Sequence, residues 1–245
     1  MSIEKQSFIS SFNRVFSENS LSSLLNIGVS EKFYELTVRM LEENEKYNLT
    51  AITDVDKIIL NHYADCAALA QRLPKGAKIA DIGCGAGFPT LPVAILRSDV
   101  TILAIDSTAK RITYVAETAR LLGLDNVTAI AMRAEDGGKS PEYRESFDIV
   151  TARAVAEMRV LSELCLPYVK QGGKFIAMKG RNAEFELQNA KKAISLLGGR
   201  NTKIEEIKLM GKGEELSHPL IIIDKKEKTP TSYPRPYAQI SKKPL

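Results

Sequence analysis

The residues whose types and spacing could do chemistry are Asp81-Ile82-Gly83-Cys84-Gly85-Ala86-Gly87-Phe88-Pro89. They follow the short apolar run Lys78-Ile79-Ala80 and precede a helix expected from Thr90 to Leu96. That context is strand, glycine turn, helix. Glycines let a backbone turn sharply and approach a ligand with no Cβ in the way, and the helix beyond the turn begins with free N–H groups. The spacing is G-x-G-x-G, led by the acid Asp81 at the strand end. The dinucleotide fingerprint G-x-G-x-x-G would need its third glycine where this chain has Phe88. Gly83, Gly85 and Gly87 therefore suit an adenosyl ligand without a pyrophosphate, and S-adenosylmethionine is the leading candidate. A glycine turn with no ligand is the alternative.

Ligands in open parallel sheets sit at the carboxyl ends of strands, so each strand end is a candidate site. Asp106 ends the second expected strand, where a carboxylate can accept hydrogen bonds from both ribose hydroxyls. It could instead cap the helix that starts near Thr108. The third strand ends in Met132-Arg133-Ala134-Glu135-Asp136, where a backbone N–H and a side-chain acceptor could read the adenine amino edge. The fourth ends in Thr151-Ala152-Arg153-Ala154-Val155, where donor and acceptor should meet. Arg153 can hold a carboxylate, a phosphate or a base edge, or form a structural ion pair with Asp148 or Glu157. No Asp/Asn-Pro-Pro-Tyr/Phe loop follows that strand, which argues against amino-group methylation of a base. Base C5 methylation needs a cysteine nucleophile, and Cys165 lies in an expected helix and reads as buried. Asn48, in Tyr47-Asn48-Leu49-Thr50-Ala51, could bond a base or cap a helix. His62 reads as a half-buried polar residue.

The elements that must position these groups follow from periodicity. Residues 1–73 read as a helical extension packed on the core, with apolar stripes through Phe8, Phe12, Val15 and Phe16, then Phe33, Leu36 and Met40, then Ile58, Ile59 and Leu69. Residues 74–224 alternate strands with helices, the expectation being strands at 78–82, 100–105, 126–131, 147–151, 173–178, 202–208 and 219–224 and helices at 90–97, 108–122, 157–169 and 183–197. Such alternation builds an α/β fold: a Rossmann-like, seven-stranded, mostly parallel sheet of the class I S-adenosylmethionine-dependent methyltransferase type. Residues 225–245 read as an irregular basic tail with several prolines, outside the core.

With 245 residues and 44% hydrophobic content, the chain can bury one large core. No apolar run is long enough to span a bilayer, and the first residues lack an apolar signal core; the expectation is a cytoplasmic protein with no membrane partner. Three scattered cysteines and two histidines argue against a disulfide framework and a metal site. The net charge of +4 is concentrated in the tail, where six basic residues face only Glu227. That tail suits either a contact with a polyanion or a solvated end.

Several segments in order resemble one family: Asn48-Leu49-Thr50-Ala51-Ile52-Thr53, His62-Tyr63-Ala64-Asp65, the glycine loop from Asp81 to Pro89, Asp106 to Arg111, Arg133-Ala134-Glu135, Val150 to Val155, and Lys179-Gly180. The chain is similar, nearly end to end, to the ribosomal RNA small-subunit methyltransferase G family, also called the glucose-inhibited division protein B family. The resemblance implies S-adenosylmethionine-dependent methylation of guanine N7 at position 527 of bacterial 16S ribosomal RNA. The substrate would be the RNA, or the small ribosomal subunit or its precursor. The resemblance also implies that Gly83, Phe88, Ala134, Glu135 and Arg153 line the cofactor site, with Asn48 and Arg133 on the RNA side. Separately from the resemblance, and with no sequence feature that sets an oligomeric state, a monomer is the expectation. Thr90 stands where many members have glycine, no tryptophan lies near Asn48, and Pro236 to Ile240 departs from the usual tail. Competing readings are a small-molecule methyltransferase on the same scaffold and a non-catalytic RNA-binding protein that keeps the cofactor loop.

Overall fold

The computed structural model describes residues 3–211 and 213–245. Helices α1 (Lys5–Glu18), α2 (Val29–Tyr47), α3 (Val55–Ile58) and α4 (Asp65–Ala70) come first, with a π-helical turn at Ile59–Ala64 joining the last two. The sheet and its cover follow as β1 (Lys78–Ile82), α5 (Thr90–Leu96), β2 (Thr101–Asp106), α6 (Ala109–Leu121), β3 (Val127–Ala131), α7 (Ala134–Gly137) and β4 (Phe147–Arg153). The chain continues through α8 (Met158–Cys165), β5 (Val169–Met178), α9 (Ala183–Leu196) and β6 (Gly199–Glu205). A hairpin, β7 (Lys208–Gly211) and β8 (Glu214–Ser217), precedes β9 (Leu220–Lys225) and α10 (Tyr237–Lys242).

The seven-stranded sheet has the order β3-β2-β1-β4-β5-β9-β6. The pairs from β3 to β5 are parallel, and β9 runs antiparallel to both its neighbours. This is the mostly parallel sheet that the alternation predicts. The expected strand at 202–208 is corrected to 199–205. Gly199 can begin it directly, because a Cβ there would meet Ile194 and Ile223 at 2.7 and 2.8 Å. The expected helix at 157–169 stops at Cys165, because Pro167 cannot continue the backbone ladder.

Each face of the sheet has its own apolar cluster. One joins the sheet to the first four helices. The helical stripe of α1 buries Phe8, Phe12, Val15 and Phe16. Phe12 meets Phe33 at 4.8 Å between ring centroids, Phe33 meets Tyr63 at 4.7 Å, and Tyr63 meets Phe88 at 6.2 Å. An aromatic ladder therefore runs from the first helix to the end of the glycine loop. The other face is covered by α8 and α9, which bury Leu161, Leu164, Leu187, Ala190 and Ile194.

The expectation of a basic tail outside the core is corrected. Ile240 of α10 is fully buried in the second cluster, and Tyr233 and Leu245 pack against it. Lys225 is also fully buried; its ammonium donates to Leu166 O at 2.7 Å and Thr229 Oγ1 at 2.6 Å and faces Glu145 at 3.3 Å. Burial pushes its pKa down to about 8. Arg235 closes a fork on Glu163, with Nε to Oε1 at 2.8 Å and Nη2 to Oε2 at 2.6 Å. Two of the tail's six positive charges are thus spent inside the protein. Glu163 is a fully buried carboxylate whose charge partner comes from the tail. Removing one partner of such a pair leaves an uncompensated buried charge, which costs roughly 3 kcal/mol. Arg235→Ala should therefore lower the urea midpoint of unfolding, and an unchanged midpoint would show that the tail only lies on the surface.

Candidate active site at the sheet switch point

β1 and β4 are parallel neighbours at which the strand order reverses, the position where open α/β sheets bind ligands. The loop after β1 is tied back to the end of β2. The N–H groups of Gly83 and Cys84 both donate to Ile105 O, at 2.7 and 3.0 Å, and Gly85 N–H donates to Asp106 Oδ2 at 3.0 Å. Gly83, Gly85 and Gly87 all have positive φ, at 76°, 55° and 85°. At Gly83 the side-chain space is also taken, since a Cβ would lie 2.7 Å from Val155 Cγ2. Glycine is required there twice over.

A cleft of about 250 Å³ opens over this loop. Gly83, Asp106, Arg133, Ala134 and Glu135 line it, as does Tyr237 from the repacked tail. Sequence reasoning missed Tyr237, because nothing local marks a tail residue as a wall of a distant cleft. Asp106 is nearly buried, and its two oxygens accept from Gly85 N–H and, at 2.8 Å, from Thr108 N–H. Both roles weighed for it in the sequence are thus compatible: it braces the start of α6, and each oxygen keeps a lone pair for a ligand hydroxyl. Arg111 stands 3.7 Å from the same carboxylate.

The other expected site residues lie around this cleft rather than in its wall. Asp81 is fully buried behind the loop. Its Oδ2 accepts from the Thr90 hydroxyl at 2.6 Å, while Oδ1 has no partner among the described atoms. Burial pushes its pKa up to about 7. Phe88 lies against His62, with ring centroids 4.6 Å apart. Asn48 is exposed at the end of α2, with a left-handed φ of 48°.

Arg153 ends β4 and turns toward the helices. Its guanidinium donates to Asn61 O at 2.8 Å and to His62 Nδ1 at 2.9 Å, and Nε stands 3.5 Å from Asp65 Oδ2. The sequence offered Asp148 or Glu157 as its structural partner. The observed partner is Asp65, because Asp148 is held by Lys170 and the Lys78 N–H, and Glu157 by Arg159. Burial and the adjacent guanidinium push His62 down to about 4, so its ring is neutral at pH 7. Nδ1 is then the acceptor for Arg153, which leaves Nε2–H to donate to Thr50 Oγ1 at 3.2 Å. His218 Nδ1 closes the far side of Asp65 at 3.4 Å. The π-helical turn aims the His62 ring at Arg153, and such turns recur at functional sites. Neither that turn nor the Asp65–His218 contact has a local sequence signature.

A second cleft, also of about 250 Å³, is lined by Asp65, Arg153, Ala154, Lys179, Glu186 and His218. Ala154 belongs to both clefts and takes a positive φ of 55°, unusual for a residue with a Cβ. The wall at Ala154 is strapped from behind. Lys179 Nζ donates to Ala156 O at 2.9 Å and pairs with Glu186 at 2.7 Å, and Glu186 accepts from Met158 N–H at 3.0 Å.

Solved structures share this fold at low sequence identity. An S-adenosylmethionine-dependent O-methyltransferase from Thermotoga maritima matches with a TM-score of 0.54 at 16% identity, over 77% of this chain and 72% of that one. A structure of M. jannaschii TYW2 in complex with AdoMet matches with a TM-score of 0.50 at 17% identity, over 65% and 72%. Among curated proteins, Ribosomal RNA small subunit methyltransferase G of Clostridium perfringens is 48% identical over 217 residues, covering 88% of this chain and 90% of its own. The protein of the same name from Oceanobacillus iheyensis is 47% identical over 218 residues, with 88% and 91% covered. The family model described as rRNA small subunit methyltransferase G matches residues 29–214. With that match and relatives of this identity along most of its length, the chain belongs to the rRNA small subunit methyltransferase G family.

Proposed function

We propose that this chain transfers a methyl group from S-adenosylmethionine to N7 of a guanosine in 16S ribosomal RNA, the one at position 527 to which the family resemblance points. What most supports this function is the meeting of two clefts at Ala154, one built on the glycine loop and Asp106, the other on Arg153. The residues present suit the cofactor. Gly83 presents bare backbone in the cleft wall, Asp106 offers lone pairs to ribose hydroxyls, and Ala134 and Glu135 line the same cleft, where they could read an adenine edge. Arg133 is exposed at the rim of the same cleft and, with Asn48, is assigned to the RNA side. Arg153 is assigned to organising the junction between cofactor and base.

Bound S-adenosylmethionine supplies a methyl group already activated by its sulfonium. Guanine N7 has a free lone pair at neutral pH, so the chain need supply no general base. Nor does it offer an activated nucleophile: burial raises the thiol pKa values of Cys66, Cys84 and Cys165 and keeps these groups protonated. What remains for the protein is placement, which can be worth roughly 7–11 kcal/mol for well-oriented reactants. N7 is reached most readily on an unstacked base, so the RNA partner is a loop or an assembling particle. No helix among the described residues is long and apolar enough to cross a membrane. We assign the chain to the cytoplasm as a monomer, where small subunits are assembled. The relatives' names do not favour the small-molecule alternative.

Labelled methyl should pass from S-adenosylmethionine to small-subunit RNA or particles from cells lacking this protein, at one guanosine mapped by N7-specific strand cleavage. Binding of the cofactor with no label on RNA would move the function to another acceptor. Gly83→Ala should weaken cofactor binding at least about tenfold, because it adds a Cβ against Val155 at positive φ; calorimetry showing wild-type affinity in a folded variant would remove the loop from the site. Arg153→Ala should lower methyl transfer about a hundredfold or more through misplacement of the reactants, and wild-type turnover would remove Arg153 from the mechanism.

A further inference from the structure

The second cleft carries two carboxylates with different amounts of bonding capacity left. Glu186 Oε2 already accepts from Lys179 Nζ and from Met158 N–H, and its side chain is 21% exposed, so its other oxygen is within reach of water. Asp65 is more closed. Its side chain is 4% exposed, and its nearest polar neighbours, Arg153 Nε and His218 Nδ1, stand at 3.5 and 3.4 Å, beyond the usual hydrogen-bond distance. No group among the described residues donates a hydrogen bond to it. A nearly buried carboxylate with unfilled acceptor sites in a cleft is a costly arrangement unless something enters to fill them.

We propose that Asp65 is the specificity-determining residue for the acceptor base, and that its carboxylate accepts hydrogen bonds from N1–H and the exocyclic N2–H of the guanine. This rests on the guanosine function proposed above. The chemistry is selective. Guanine presents two adjacent N–H donors on its Watson–Crick edge, and a carboxylate presents two acceptors and no donor. Adenine and cytosine place a ring acceptor beside their amino group, which would face an oxygen lone pair. Uracil flanks its single N–H with two carbonyls. A site built to hydrogen-bond a particular group rejects the analogue lacking it, because the buried polar atom is left unpaired.

The arrangement also orients the reacting atom. N7 lies on the edge of guanine opposite N1 and N2, so a base held at Asp65 turns its N7 lone pair away from the carboxylate. The two clefts meet at Ala154, and the reacting edge is presented there. Arg153 flanks Asp65 and offsets its charge, which keeps a carboxylate tolerable in so closed a position.

The test uses RNA carrying either guanosine or inosine at the target position. Inosine lacks the exocyclic amino group and keeps N7. The wild-type protein should show a kcat/KM at least about tenfold lower on inosine RNA, the minimum expected for one unpaired buried acceptor. Asp65→Asn should bring the guanosine-to-inosine ratio close to one, whatever its overall loss of rate. A merely structural role for Asp65 would lower both substrates together and leave the ratio unchanged, which overturns the proposal. So does a wild-type enzyme that accepts inosine as readily as guanosine. Should the Asn variant fail to fold, Asp65→Ser serves for the same ratio. A wild-type protein that binds cofactor and labels neither RNA overturns the guanosine function itself, a result distinct from either of these.

Discussion

The guanidinium of Arg153 is the constraint on which the site depends. It sits at the last residue of β4, where the sheet ends, and bonds to groups carried by the π-helical turn and α4. Helices and sheet are thereby held in one relative position by a planar, rigid donor fork. Because His62 is neutral, its ring can accept from that fork, so proton, ring and guanidinium positions are mutually determined. The chain leaves β4 through Ala154 in a left-handed conformation that only surrounding structure can maintain. The strap from Lys179 and Glu186 is part of that surrounding structure.

The protein's investment is therefore in geometry rather than in reactive groups. Its thiols are sealed in apolar surroundings, its buried imidazole is neutral, and the acid behind the glycine loop bonds to a threonine instead of facing a ligand. An alkyl transfer to a nucleophilic ring nitrogen asks for little else. Reactants that are already activated gain most from being held in line and away from water.

Strand and helix periodicity carried most of the fold, because both depend on which side chains face apolar neighbours. The alternation from Lys78 to Leu196 predicts the parallel sheet, and the glycine spacing locates the cleft. The misses have particular causes. Pro167 ends α8 before the expected bound at residue 169. The β7–β8 hairpin is too short to show alternation in sequence. The tail looked polar and irregular, yet its order comes from Ile240 in an apolar seat and from Arg235 and Lys225 reaching partners far away in sequence. Within the site, Gly83, Asp106 and Glu135 were readable because they stand at strand ends. Asp65 and His218 were not, since only tertiary folding brings them to Arg153.

The hairpin has a consequence for how the molecule assembles. Asn19, at the end of α1, exchanges two hydrogen bonds with the backbone of Met210, across 191 residues of chain. Gly211 sits so close to Leu60 that a Cβ there would lie 2.4 Å away. His218, which completes the second cleft, follows directly on this hairpin. Contacts this remote in sequence close only after a large loss of chain entropy, and topologies rich in them fold slowly. The glycine loop and Asp106, by contrast, are joined over 21 residues, within one strand–helix–strand unit. The half of the site that holds Asp65 against His218 therefore carries a larger loop-closure cost than the half built on the glycine loop.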